Sequence, residues 1–157
     1  MQFHRPFLHA VRALTVAVAL GPVACETPAD PALAAFAGTY VLRTVDDHAL
    51  PVLIQDYGAW RYYRIADTLT LGPRGEYTRV LTLEIDSTGN GRRRLQRSTS
   101  DGSYVVRGDT LDFFFYCPPN ASCVRPPIAW RSGNGELTLA YGTAQGFFEV
   151  SRFLRVN

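Results

Sequence analysis

"YYRIADTLTLGPRGEYTRVLTLEIDSTGNGRRRLQRS", residues 62–98, is the stretch whose reading decides the fold. Leu69 and Leu71 alternate with polar residues, and so do Tyr77, Leu81, Leu83 and Ile85. A period of two is the mark of a strand with one face buried. Between the alternating segments lie "GPRG" (72–75) and "STGNG" (87–91), built from residues that enter tight turns readily. The unit is therefore strand, turn, strand.

The same unit continues in both directions. "GTYVLRTV" (38–45), "YYRIADTLTL" (62–71), "EYTRVLTLEI" (76–85), "RRRLQRS" (92–98), "SYVVRG" (103–108), "TLDFFFYC" (110–117), "PIAWRS" (127–132), "ELTLAY" (136–141) and "FFEVSRFLRV" (147–156) read as strands. The turns between them leave no room for the long crossovers that parallel strands require. "ADTLTL" (66–71), "GDTLDF" (108–113) and "NGELTL" (134–139) echo one another as turn followed by strand, at spacings too irregular for a solenoid. The expectation is an all-β fold, an antiparallel up-and-down meander of eight or nine strands. Such a meander closes on itself or leaves two vulnerable edges, and closure into a barrel is expected. One short helix is expected over 48–60, "HALPVLIQDYGAW", with Pro51 in its first turn and Gly58 at its end.

The first 24 residues follow a different pattern. Arg5 and Arg12 precede the 12-residue apolar run "ALTVAVALGPVA", too short for a bilayer span of about 20 residues. A basic start, a short apolar middle and small residues at the end describe a secretory signal peptide. Residues 25–35, "CETPADPALAA", read as a flexible tether, and 36–157 as the barrel domain. All 14 acidic residues follow Cys25, so the exported chain carries 14 arginines against 14 acids, with no lysine. A formal charge of zero argues against general nucleic-acid binding, which needs a cationic surplus.

In an exported chain Cys117 and Cys123, bracketing "PPNAS", are expected to form a disulfide. Zinc is the alternative, but three or four ligands are needed and His48 is the one histidine after the leader, so no metal or cofactor is assigned. Cys25 follows "PVA" at the end of the leader and resembles the processing and acylation site of bacterial lipoproteins, with Pro22 where leucine is commonest. Ordinary cleavage near Ala24 or Ala34 is the alternative.

"FAGTYVLRTVDDHALP" (36–51) resembles the start of small bacterial lipocalin-like β-barrel proteins, in which a G-x-W or G-x-Y strand leads through a turn to an L-P element. "GEYTRVLTL" (75–83), "GSYVVRGDTLDF" (102–113) and "NGELTL" extend the resemblance over residues 36–156. Tyr40 stands where lipocalins carry tryptophan, and their T-D-Y segment is absent. The resemblance implies that Arg152 or Arg155 lies across the opening aromatic as a structural closure. It also implies a cup whose interior is either filled or holds one small apolar ligand.

Within such a cup the inward face of 76–85 is Tyr77, Arg79, Leu81, Leu83 and Ile85, and that of 147–156 is read as Phe148, Val150, Arg152 and Leu154. Arg79 and Arg152 on apolar faces each need a carboxylate, a barrel mouth or an anionic ligand. A ligand site would then draw on Tyr40, Tyr77, Arg79, Leu83, Trp130, Phe148 and Arg152. Asp46, Asp47 and His48 place a carboxylate beside an imidazole, which suits acid–base chemistry, yet neighbours in a turn point apart and a solvated turn is expected. In "GRRRLQRS" Arg92 and Arg94 share one strand face while Arg93, Leu95 and Arg97 share the other, as on an edge strand; an acidic partner or anionic lipid is the functional alternative. In "LDFFFYC" Leu111, Phe113 and Phe115 are expected in the core, with Phe114 and Tyr116 on the other face.

The expected function is binding rather than catalysis: an exported, lipid-anchored protein of the bacterial cell envelope holding a small apolar or amphiphilic ligand. The competing expectation is an envelope interaction module with a filled core. Intact-mass measurement of the exported protein should show acylation that Cys25→Ser abolishes together with membrane retention. In the same sample two thiols should resist alkylation until reduced, and free alkylation of both would refute the Cys117–Cys123 pairing.

Overall fold

The computed structural model describes residues 30–89, 91–115, 127–132, 135–142 and 148–156. The strands are β1 (Gly38–Val45), β2 (His48–Ala49), β3 (Val52–Asp56), β4 (Trp60–Leu71), β5 (Glu76–Ser87), β6 (Arg92–Arg107), β7 (Thr110–Phe114), β8 (Ile128–Ser132), β9 (Glu136–Gly142) and β10 (Phe148–Val156), preceded by helix α1 (Pro31–Phe36). Eight of them form a closed antiparallel ring, β1-β10-β9-β8-β7-β6-β5-β4 and back to β1; β2 and β3 are additional strands outside the ring. Closure is made by Gly38, Thr39, Tyr40 and Val41 against Leu71, Thr70, Leu69 and Thr68. The end where β1 begins and β4 ends is called the lower mouth below.

Every strand of the ring contributes to one core. Tyr40 and Leu42 of β1, Leu69 and Leu71 of β4, Tyr77 of β5, Tyr104 of β6, Leu111 and Phe113 of β7, Ala129 of β8, Leu137 and Leu139 of β9 and Phe153 of β10 are all 8% exposed or less. Tyr77 meets Phe113 edge-on at 5.1 Å, a favoured geometry for aromatic pairs. The lower half of the barrel is therefore packed with side chains.

The helix lies earlier in the chain than expected. Residues 48–60 form β2, a cis Leu50–Pro51 peptide and β3, which pairs with β4 from Val52↔Arg64 to Asp56↔Arg61. The physical reason is the edge that β4 leaves open: β1 pairs with it only over 68–71, and covering the rest with a strand outweighs a short, weakly amphipathic helix. Conversely, part of the segment expected to be a tether is helical. Asp30 caps α1 by accepting from Ala32 N at 2.8 Å, Pro31 opens it, and Phe36 is buried.

This helix plugs the lower mouth. The Tyr104 hydroxyl donates to Gly72 O at 2.7 Å and to Leu33 O at 3.4 Å, and the Tyr40 hydroxyl donates to Phe36 O at 2.7 Å. Burial, then the Glu76 and Tyr40 charges, pushes the Tyr104 pKa up to about 12. Arg131 donates to Ala35 O and Arg155 to Ala37 O, while the Arg131 guanidinium lies 4.4 Å from the Phe36 ring centre. Arg155 stands cross-strand from Tyr40 on β1, whereas Arg152 stands cross-strand from Thr44 and pairs with Asp47.

The separation of "RRRLQRS" (92–98) from "SYVVRG" (103–108) as two strands implies a turn at "SDG" (100–102), which the structure does not form. Instead β6 runs unbroken for 16 residues, with Gly102 opposite Tyr77. A Cβ at Gly102 would strike the Phe114 carbonyl oxygen and come within 2.7 Å of the Tyr77 ring, so this glycine serves close approach rather than a turn. Gly102→Ala is expected to lower stability by about 2 kcal/mol through overpacking, read as a fall in the urea midpoint, whereas Ser103→Ala next to it leaves the midpoint unchanged.

Candidate functional site

The upper half of the barrel interior is polar. The Asp67 carboxylate, fully buried on β4, accepts from Arg79 of β5 at 3.0 Å (Nε) and 2.5 Å (Nη2). Arg64 of β4 donates to Glu149 of β10 through both terminal nitrogens, at 2.5 and 3.1 Å, and to Ser151 Oγ at 3.2 Å; Ser151 donates to Glu149 at 3.0 Å. The Arg79 guanidinium also lies 5.1 Å from the centre of the Tyr141 ring. Two arginines and two carboxylates make this layer neutral.

Its electrostatics follow from burial and pairing. Burial alone would lower the Arg79 pKa, but the hydrogen bond to Asp67, with the Tyr141, Asp67 and Glu149 charges, raises it above the ordinary arginine value. Burial drives the Tyr141 phenol well above its usual value. The Tyr141 hydroxyl and Arg64 Nε are buried without a hydrogen-bond partner among the described residues. Both carboxylates of this layer, Asp67 and Glu149, are held by guanidinium groups.

Of the residues proposed from sequence as a ligand set, four face the interior and two, Trp130 and Arg152, lie outside it. Tyr40 and Tyr77 are core residues of the lower half, and Arg79 and Leu83 face inward on β5. Trp130 is 37% exposed. Arg152 is half exposed on the outside and pairs with Asp47 at 3.0 Å. Phe148 stands opposite Gly142 at the start of β10, and its side chain lies outside the described residues. On β10 the inward face is Ser151 and Phe153, both fully buried, while Arg152 and Leu154 face out. Alternation alone favours the other face, since Phe148, Val150, Leu154 and Val156 are apolar while the inward parity sets Glu149, Ser151 and Arg155 beside Phe153, and a shift of one residue exchanges the faces. Glu149 and Ser151 decide the outcome by answering Arg64.

Asp67 was legible in principle. The 72–75 turn sets Leu71 opposite Tyr77 and hence Asp67 diagonal to Arg79 on one face. Arg64 carried no such signal, because a bulge between Arg64 and Ala66 shifts its register.

Asp46, Asp47 and His48 are explained by local structure. Val45 pairs with His48, and both aspartates have positive φ, 48° and 65°, as a two-residue hairpin turn of type I′ demands. Asp46 accepts from Val150 N at 2.8 Å, and His48 is exposed. Cys25, Cys117, Cys123 and Tyr116 lie outside the described residues. Among the described residues no group of three His, Cys, Asp or Glu side chains is arranged to hold a metal.

The larger exposed feature is a sheet that outgrows the barrel. Among the described residues β7 pairs with β6 only over Ser103–Arg107 and β1 with β4 only over 68–71, so β3 and the far halves of β4, β5 and β6 extend past these pairings, with Ile85 and Ser87 of β5 buried on that stretch. Tyr57, Trp60, Leu53 and Leu95 are exposed on it. A shallow groove of about 280 Å³ is lined by Ile54, Gln55, Tyr57 and Tyr62. Every residue from Arg92 to Asp101 is exposed. Arg93 pairs with Glu84 at 3.3 Å.

Comparison with known proteins gives no match to a family model, to a curated sequence or to a solved structure. The site has to be read from its own geometry.

Asp67→Asn leaves the Arg79 charge buried without a carboxylate and is expected to cost about 3–5 kcal/mol, measured by denaturant unfolding. The double change Asp67→Leu with Arg79→Met should recover most of that loss, since removing both charges removes the desolvation cost.

Proposed function

We propose that this protein is an exported, lipid-anchored, lipocalin-like barrel of the bacterial cell envelope that works by binding a partner on the sheet projecting from its upper rim. The barrel itself is a filled scaffold. The observation that carries this reading is the state of the interior: inward side chains from all eight ring strands pack together, and the inward arginines Arg64 and Arg79 already hold carboxylates. An anionic head entering the barrel would find its countercharges taken. The remaining inward-facing reason for a ligand, an arginine at 152, lies on the outside.

Orientation supports the same reading. Cys25 precedes Pro31 by six residues, a reach of about 20 Å when extended, and α1 sits at the lower mouth. An acyl anchor at Cys25 therefore keeps the lower mouth near the membrane and directs the projecting sheet away from it. Export and anchoring rest on the leader and on the residues before Cys25.

A second reading, uptake of a single-chain amphiphile from above, is favoured by one observation. Leu81 and Leu83 are only part-buried on the inward face above Arg79, close to the unpartnered Arg64 Nε. Titrating delipidated protein with a fluorescent fatty acid separates the two. Absence of saturable uptake is the expected outcome. Saturable uptake weakened by Leu83→Trp would overturn the filled-scaffold reading in favour of the second.

A further inference from the structure

Among the described residues one side of β6 carries no strand over 92–102. β5 pairs with β6 without a register shift from Ser87↔Arg92 to Glu76↔Ser103, whereas β7 ends at Phe114↔Ser103. Among the described residues nothing pairs with the other side of 92–102. Ten exposed residues, Arg92–Asp101, thus offer a straight edge of about 33 Å. It contains no proline and no bulge, two devices by which edges are usually spoiled.

Charge is the remaining device, and it is of one sign. Arg92, Arg93, Arg94 and Arg97 face a single acid, Asp101, within the stretch. Across the ladder Glu84 and Asp86 serve Arg93, but Arg94 stands opposite Ile85 and Arg97 opposite Thr82. Such an edge repels cationic or unmatched strands and admits one that brings carboxylates.

We infer that β6 binds an extended acidic segment of a partner protein by strand addition along residues 92–101, with carboxylates meeting Arg94 and Arg97. This rests on the surface-binding reading above and names the partner's chemistry. Arg94 and Arg97 are three positions apart and lie on opposite faces of the sheet, so the added strand carries its two acids three positions apart as well. Main-chain hydrogen bonds supply the pairing, and the two charges set which strand is accepted. A membrane surface is disfavoured because the edge lies at the end opposite α1. Single-stranded nucleic acid is disfavoured because the run holds no aromatic residue for bases to stack on.

The test uses the whole exported protein and a labelled, end-blocked peptide of valine and threonine with two glutamates three positions apart, followed by fluorescence anisotropy. Saturable binding is expected, weakened about tenfold or more by Arg94→Glu or Arg97→Glu and restored for the double variant by a peptide carrying lysines instead. Both sites are exposed, so unchanged far-ultraviolet circular dichroism establishes that these variants fold. N-methylating alternate amides on one edge of the peptide should abolish binding, while the other edge tolerates it. Equal binding by the two methylated series, indifference to Arg94→Glu and Arg97→Glu, or occupation of the edge by a second copy in sedimentation would each overturn the inference. If the peptide fails to bind and fatty acid is not taken up either, the edge proposal falls while the filled-scaffold reading stands; fatty-acid uptake removes that reading itself.

Discussion

Closure of this barrel depends on four residue pairs, Gly38–Val41 against Leu71–Thr68. β1 has eight residues, while β4 and β5 have twelve each and β6 sixteen. A short strand cannot satisfy a long one along its whole length, and backbone groups left over must be paired or exposed to water. On β4 they are paired, by β3. On β6, over 92–102, no second strand pairs with them among the described residues. The additional strands, the projecting sheet and the open edge are consequences of one length mismatch.

The same mismatch gives the interior charges a structural role. Above Val41 and Thr68, β1 parts from β4 while staying with β10 through Val45↔Ser151. Arg64 spans that level from the β4 side, binding Glu149 and Ser151 on β10, and Asp67 ties β4 to Arg79 on β5. Buried ion pairs contribute little net stability against well-packed apolar side chains, because desolvating the charges offsets their attraction. Their value here is directional. A guanidinium held by a carboxylate at two points fixes one register between strands that backbone pairing no longer links.

Much of the architecture is legible from turn chemistry and alternation, because both are local. Gly38–Val45 is read to the residue, and β4, β5, β9 and β10 to within two. What fails locally is whatever a distant strand decides. Val52 and Leu53 have a fair helical pattern and become β3 because β4 offers an edge. "SDG" has turn composition and stays extended because Tyr77 packs over Gly102. On β10, Phe148, Val150 and Leu154 look as good a core face as Phe153, and only the polar demand of Arg64 on Glu149 and Ser151 selects between them. The candidate site is less legible than the fold for the same reason: Arg79 is visibly out of place in its strand, but its partner lies on a neighbouring one.

Length mismatch and plugging together give the molecule two unlike ends. At the lower mouth Tyr40, Tyr104, Arg131 and Arg155 direct hydrogen bonds to α1, to the Ala37 that follows it or to the turn beneath it. At the upper rim one side of β6 carries no strand among the described residues, and the side chains of Tyr57, Trp60 and Leu95 are exposed. Under the proposed filled scaffold the barrel needs no ligand for its stability, and strand addition at β6 leaves the core intact. Under the proposed anchoring at Cys25 the sealed end faces the membrane and the unsatisfied end faces away from it, which is where a strand-accepting surface can meet an extended chain.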